Sequence, residues 1–195
     1  MATTQWTLDA THSELNFKIR HLMITNVSGS FTDFTVDVTT DGDDFSTAQI
    51  GARIKMDSIN TNNQQRDHHL RASDFFDAAN HPEMIFKSTR VEKRSNDEFL
   101  LHGDLTMKGT TQPVQLNVEF GGITKDPWGS ERAGFTVTGK INRSAWGVSF
   151  NSVLETGGVA LGEEVKIASE IQLVKQVAVA PSPTETESEH QKQTA

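Results

Sequence analysis

The chain has 195 residues, of which 35% are hydrophobic and none is cysteine, enough to bury one core without covalent staples. With no Cys it forms no disulfide, no thiolate metal site and no Cys nucleophile. A formal net charge of -8 argues against a nucleic-acid partner, which needs a basic face; residues 176–195 hold Glu185, Glu187, Glu189 and Lys192, for -2, which leaves -6 spread over the body.

In chain order, Met1 to Gln5 carry neither the charged nor the apolar region of a signal peptide and run into strand-like sequence, so the expected location is cytoplasmic. Strict alternation then dominates. Leu15, Phe17 and Ile19 oppose Glu14, Asn16, Lys18 and Arg20, and Phe34, Val36 and Val38 oppose Thr35, Asp37 and Thr39. Thr40-Asp41-Gly42-Asp43 suits a hairpin loop, because Asp-Gly accepts positive φ. Ala48, Ile50, Ala52, Ile54 and Met56 share the next inward face.

The segment Asn60 to Asn80 breaks the period-two pattern and contains helix formers, which predicts a short helix near Asn63–Arg71, followed by the Phe75-Phe76 pair. Pro82 restarts an extended chain at Met84–Phe86. Alternation resumes through Leu101–Lys108, Val114–Phe120, Phe135–Ile141 and Glu164–Leu173. Gly121-Gly122 is expected to end a strand, and Asp126-Pro127-Trp128-Gly129 to form a longer loop. About eight half-buried runs separated by Gly-, Asp- and Asn-rich turns predict an all-β fold, an antiparallel barrel or sandwich with one helical insertion. Residues 1–175 form the folded domain in this reading. The acidic stretch 176–195, rich in Pro, Ser, Thr and Glu, is expected to be a disordered tail.

Phosphate-loop, dinucleotide, zincin and nucleophile-elbow motifs are all missing. The His68-His69 pair does not by itself make a metal site, since neighbours on a helix point about 100° apart. A site would need His69 to meet His21 or His81, so no metal and no cofactor is expected.

Four blocks in order resemble the YceI-like, polyisoprenoid-binding family with its lipocalin-like fold. The first holds Asp9, His12-Ser13, Phe17, Ile19 and His21, then Val27, Gly29 and Phe31. The second reads Ser58-Ile59-Asn60-Thr61, Arg66-Asp67, His69-Leu70, Asp74-Phe75-Phe76, Pro82 and Phe86-Lys87-Ser88. The third reads Gly103-Asp104-Leu105 and Lys108-Gly109-Thr110-Thr111. The last reads Ile141-Asn142-Arg143, Trp146-Gly147 and Leu161-Gly162-Glu163-Glu164-Val165. The resemblance runs from Trp6 to Val174. It implies an extended antiparallel lipocalin-like β-barrel around a hydrophobic tunnel, a polyprenyl or isoprenoid-quinone ligand, a homodimer, and no reaction.

Small residues on the inward faces, Ala48, Ala52, Gly103, Gly139 and Ser169, fit a barrel with a cavity; equally, they fit a solid barrel whose neighbouring Phe and Leu fill the taper. Arg66-Asp67-x-His69 is the expected head-group site, with forked donors from Arg66, imidazoles of His69 and His21, and hydroxyls of Ser13 or Ser58. Phe75 and Phe76 would wall the neck, and Ala52 and Gly139 would line the tunnel. Arg66 and Asp67 serve equally well to brace the helical insertion. The competing function is an enzyme acting on an amphiphilic lipid, with His69 as general base oriented by Asp67. A third is a protein-binding module that uses the outer face or the tail.

Overall fold

The alternating runs become strands that wet one face and turn the other inward. In the computed structural model, which describes residues 3–155 and 157–176, these are β1 (Thr3–Leu8), β2 (Glu14–His21), β3 (Thr25–Phe31), β4 (Phe34–Asp41), β5 (Asp44–Lys55) and β6 (Ile59–Asn60). After α1 (Gln64–Arg71) come β7 (Glu83–Lys93), β8 (Glu98–Met107), β9 (Thr110–Lys125), β10 (Glu131–Asn142) and β11 (Leu161–Lys175). Apart from Gln176, the expected tail lies outside the described residues.

Eight strands in the order β1-β4-β5-β7-β8-β9-β10-β11 close into an antiparallel barrel through the β1–β11 pairing. The other three extend it. Strand β11 takes β2 along its first part (Ile167 opposite Phe17) and β1 along its last (Trp6 opposite Lys175). So β1 and β2 are two lengths of one broken strand, interrupted by a 3-10 turn at Ala10–His12. Strands β3 and β4 repeat the arrangement: β3 pairs with β2, and β4 pairs with β1. The short β6 closes the β2–β3 flank, and α1 packs against it. A barrel deeper than one strand length results, with the helix at one end.

The break at Asp9 is held by a polar joint. The Asp9 amide donates to Gln172 O at 2.8 Å. Its carboxylate accepts from Thr11 Oγ1 at 2.7 Å and Gln172 Nε2 at 2.9 Å, pairs with His12, and accepts from Arg132. Arg132 also donates to Asp126 Oδ2 at 2.8 Å. Burial raises the Asp9 carboxyl, but hydrogen bonds from Thr11, His12 and Gln172 outweigh it and hold the group well below the usual carboxylate range.

The predicted helix forms, capped by Asn63, whose side chain accepts the Arg66 amide at 2.9 Å. The Asp41–Asp44 hairpin carries Gly42 at φ 58°, as its Asp-Gly sequence suggests. Gly121-Gly122 departs from expectation: β9 runs straight through it. Gly122 at φ 106° opposes Gly134 while Phe120 opposes Phe135, so the extra residue is a β-bulge that bends the strand rather than ending it.

Candidate functional site

The inward faces enclose a cavity of about 480 Å³, within the range of sites that bury small molecules. Its lining is almost wholly aliphatic and aromatic. Along β11 the lining runs from Leu161 to Leu173, about 40 Å of strand at ~3.3 Å per residue. Tilted at ~40°, that strand covers roughly 30 Å of barrel axis. A long, thin guest fits this space better than a compact one.

The two ends differ. One is sealed by packed rings: Phe45 lies 5.1 Å from Trp6 and 4.9 Å from Phe135, and Phe120 stacks on Phe135 at 5.2 Å. The Trp6 indole donates to buried Thr40 Oγ1 at 3.1 Å, so the plug leaves no polar atom unpaired. At the other end lie His21 on β2, Thr61, Arg66 and His69 by α1, and Arg143 and Phe150 after β10; all line the cavity.

Polar groups at this mouth form a chain. Asp67, buried on the inner side of the helix start, accepts the Thr61 amide at 2.8 Å and the Thr61 hydroxyl at 2.5 Å. Arg66 reaches Thr61 from the other side, Nε to Oγ1 at 2.7 Å and Nη2 to the carbonyl at 2.8 Å. This leaves Nη1 unengaged among the described residues. His69 pairs Nε2 with Asp74 Oδ2 at 2.8 Å, and this hydrogen bond holds the Asp74 carboxyl below its ordinary value. The His69 ring meets Phe75 edge-on at 4.9 Å and Phe150 at 5.0 Å.

Of the residues singled out from sequence, His21, Ala52, Arg66, His69, Phe75 and Phe76 line the cavity. Four do not, for separate reasons. Ser58 turns away, its Oγ donating to the Lys55 carbonyl at 2.7 Å. Ser13 belongs to the strand joint, where its Oγ accepts the Gln172 amide at 2.9 Å. Asp67 faces Thr61 rather than His69, so the expected Asp67–His69 pair is not formed and Asp74 stands in its place. Gly139 faces inward but is covered: a Cβ there would meet Leu116 Cδ2 at 2.5 Å. Gly103 likewise accommodates the Phe86 ring and Gly29 the Phe17 ring. The inward glycines therefore serve their neighbours' packing, whereas Ala48, Ala52 and Ser169 border the hollow.

Arg143 and Phe150 were not legible as site residues. Arg143 is buried and donates to the carbonyls of Gly162, Val148 and Phe150 at 2.8–2.9 Å, with Glu163 as its counter-charge. Burial lowers the guanidinium's pKa, and Glu163 opposes that shift. This clamp ties the segment between β10 and β11 to the rim and sets Phe150 against His69. Residues 147–160 have no hydrophobic period, so only the Arg143-x-x-Trp146-Gly147 corner hinted at it. Trp146 is buried, with its indole donating to Leu105 O at 2.8 Å.

A family model described as YceI-like domain matches residues 6–173. A UPF0312 protein of Staphylococcus aureus (strain N315) is 45% identical over 170 residues, covering 87% of this chain and 96% of its own length. The chain belongs to the YceI-like family. The crystal structure of a Campylobacter jejuni YceI protein superposes with a TM-score of 0.71 at 34% identity, covering 87% of this chain and 97% of that one. Two more distant structures share the fold. One is Burkholderia cenocepacia BcnA, at TM-score 0.72 and 20% identity over 85% of this chain and 98% of its own. The other is a polyisoprenoid binding domain from Saccharophagus degradans, at TM-score 0.62 and 16% identity over 88% and 98%. Among the described residues, no helix is long and apolar enough to cross a membrane.

Proposed function

We propose that this protein binds one long, isoprenoid-like amphiphile, a polyprenyl lipid or isoprenoid quinone, and holds it without chemically changing it. The observation that carries the reading is the polarity gradient of the cavity. Its depth is apolar and capped by aromatic rings, while the cationic and imidazole groups that line it, His21, Arg66, His69 and Arg143, gather at the mouth. A guest with an apolar chain and one polar end matches this in a single orientation, with its oxygen atoms beside Arg66 Nη1, His21 and His69.

Energetics favour a filled interior. At ~24 cal/mol per Å³, keeping the roughly 480 Å³ dry and unfilled would cost on the order of 10 kcal/mol. That matches the whole net stability of a typical domain, about 5–15 kcal/mol. Water is a poor filling, because a buried water needs two to four polar partners and this lining offers few. The relative described as a polyisoprenoid binding domain supports the ligand class through its shared fold. The enzyme reading loses the orienting carboxylate expected for it, because Asp67 faces Thr61 and His69 pairs with Asp74 instead.

The test is native mass spectrometry of freshly purified protein, followed by solvent extraction and lipid identification. A stoichiometric adduct that yields a polyprenyl chain or quinone is the expected result. If the protein takes up neither from ethanol solution, the reading is wrong. Chemical turnover of an offered lipid that disappears in His69→Ala would replace it with the enzyme reading.

A further inference from the structure

A ligand that lives in bilayers must leave one to reach the cavity, and the mouth carries an apolar projection placed for that step. Three residues, Leu22, Met23 and Ile24, join β2 to β3 between the paired His21 and Thr25; Ile24 N donates to His21 O at 3.2 Å, and Leu22 and Met23 sit at φ 50° and 61°. Two consecutive positive φ values are what Asn-Gly or Asp-Gly usually supplies, and long side chains resist them. Here the turn displays Leu22, Met23 and Ile24 to solvent at 39%, 55% and 76% exposure.

The neighbouring hairpin adds to the display. Leu22 N bonds Ala160 O, Ala160 N bonds Ser152 O, and Val153 bridges to Val159 one step farther out. Val153 is 86% exposed. Of the five large apolar side chains exposed among the described residues, four therefore stand on this one rim; Trp128, on the β9–β10 turn at the plugged end, is the fifth. His21, Ala160 and Leu161, directly beneath the projection, line the cavity.

Charge below the tips is cationic. Arg20 anchors the turn through Nε to Met23 O at 3.2 Å, and Lys18 lies opposite Lys166 across the β2–β11 pair. No carboxylate bridges these three among the described residues. The acids nearest them on β11 are engaged elsewhere, Glu163 by Arg143 and Glu164 by Lys140. Apolar tips over a basic collar match a bilayer surface with anionic head groups, which takes apolar side chains at its acyl boundary and attracts cations to its phosphates.

We propose that the rim formed by Leu22, Met23, Ile24 and Val153 inserts into an anionic lipid bilayer and delivers the ligand directly between membrane and cavity. This rests on the lipid-binding reading and names the surface with which that cavity exchanges. The experiment uses the full chain and a combined Leu22→Asn, Met23→Gly, Ile24→Thr, Val153→Ser variant. The first two changes install the Asn-Gly pair that the turn geometry favours, so the variant is expected to keep its thermal midpoint.

Flotation with phosphatidylcholine–phosphatidylglycerol vesicles should carry the wild type and release the variant, with affinity down about a hundredfold, since apolar area buried at the interface sets binding. Extraction of a fluorescent polyprenyl quinone from those vesicles should slow in parallel, while uptake of the same quinone from ethanol solution stays unchanged. Unchanged extraction by the folded variant overturns the proposal. So does a wild-type dimer that the variant dissolves, because the rim would then cover a second copy of the chain. Failure of the wild type to take up quinone from ethanol defeats the lipid-binding reading, and vesicle flotation reports on the rim independently of it.

Discussion

Asp67 and Thr61 are joined twice, carboxylate to amide at 2.8 Å and carboxylate to hydroxyl at 2.5 Å, and the same hydroxyl accepts from Arg66 Nε at 2.7 Å. One threonine thus links a buried brace to an exposed guanidinium at the cavity mouth. Replacing Asp67 by Ala strands the Thr61 amide in a buried position and should lower stability by about 2–3 kcal/mol. Arg66→Ala should cost under ~1 kcal/mol, as expected for an exposed side chain, yet weaken binding of a guest with an oxygen-rich head about tenfold or more. Urea denaturation and quinone titration of both variants separate the two roles.

Ala52 gives the cleanest probe of the cavity itself. It borders the hollow between Val36 and Phe86, its cross-strand partners. A phenyl ring added there enters empty space rather than a packed core, so Ala52→Phe should melt no lower than wild type. Its capacity for a long-chain guest should fall sharply, read by the adduct mass in native mass spectrometry. Undiminished uptake would place the guest elsewhere.

Two inward glycines should behave differently when changed to Ala. At Gly139 the new methyl crowds the tip of Leu116, which can swing into the hollow, and lies at ordinary contact distance, 3.4 Å, from the Gln115 carbonyl, so the cost should stay within ~1 kcal/mol. At Gly103 it overlaps the Phe86 ring and comes within 2.6 Å of the Lys87 carbonyl. Backbone cannot step aside as a side chain does, and a loss of about 1–3 kcal/mol is expected. Thermal melts of the two single variants test the ordering.

The strand joint should make the fold acid-sensitive. The Asp9 carboxyl is depressed well below the ~3.9 of an unfolded Asp. Between the two values the unfolded chain binds a proton that the folded chain refuses, so stability rises with pH there. The contribution is fully present above about pH 4 and disappears as pH falls through the low folded value. In urea titrations at descending pH, Asp9→Asn should start less stable at neutrality and lose less on acidification. An unaltered pH slope in that variant would show that the joint does not titrate in this way.

Most of the barrel was legible because period two survives wherever one face is wet. Val114–Phe120 and Glu164–Leu173 are strands in which nearly every alternate residue points inward. Gly121-Gly122 misled because a glycine pair reads the same whether it ends a strand or bulges one. The small inward residues were ambiguous for a related reason: Ala52 borders space, while Gly139 lies under Leu116, and only the register of β9 against β10 tells them apart. At the mouth, Arg66 and His69 stood out by composition. Partner choice did not: Asp67 lies two residues from His69 and Asp74 five, yet the helix turns the nearer carboxylate toward Thr61 and the farther one pairs with His69. Phe150 comes from a segment with no period at all, and Arg143 was visible only through its corner with Trp146 and Gly147.

The seam between β1 and β11 joins Trp6 to Lys175, residues from opposite ends of the folded chain. Contacts that span so much sequence carry the largest loop-closure entropy and form slowly. On the ribosome, β1 has no partner across that seam until β11 has been synthesised, although β4 can already pair with its other edge. The hairpins from β7 to β10 are free to assemble earlier from local contacts. Before the seam zips, the interior is an open trough rather than a tube. A guest of the proposed kind present at that stage would be wrapped by the closing wall without threading the mouth.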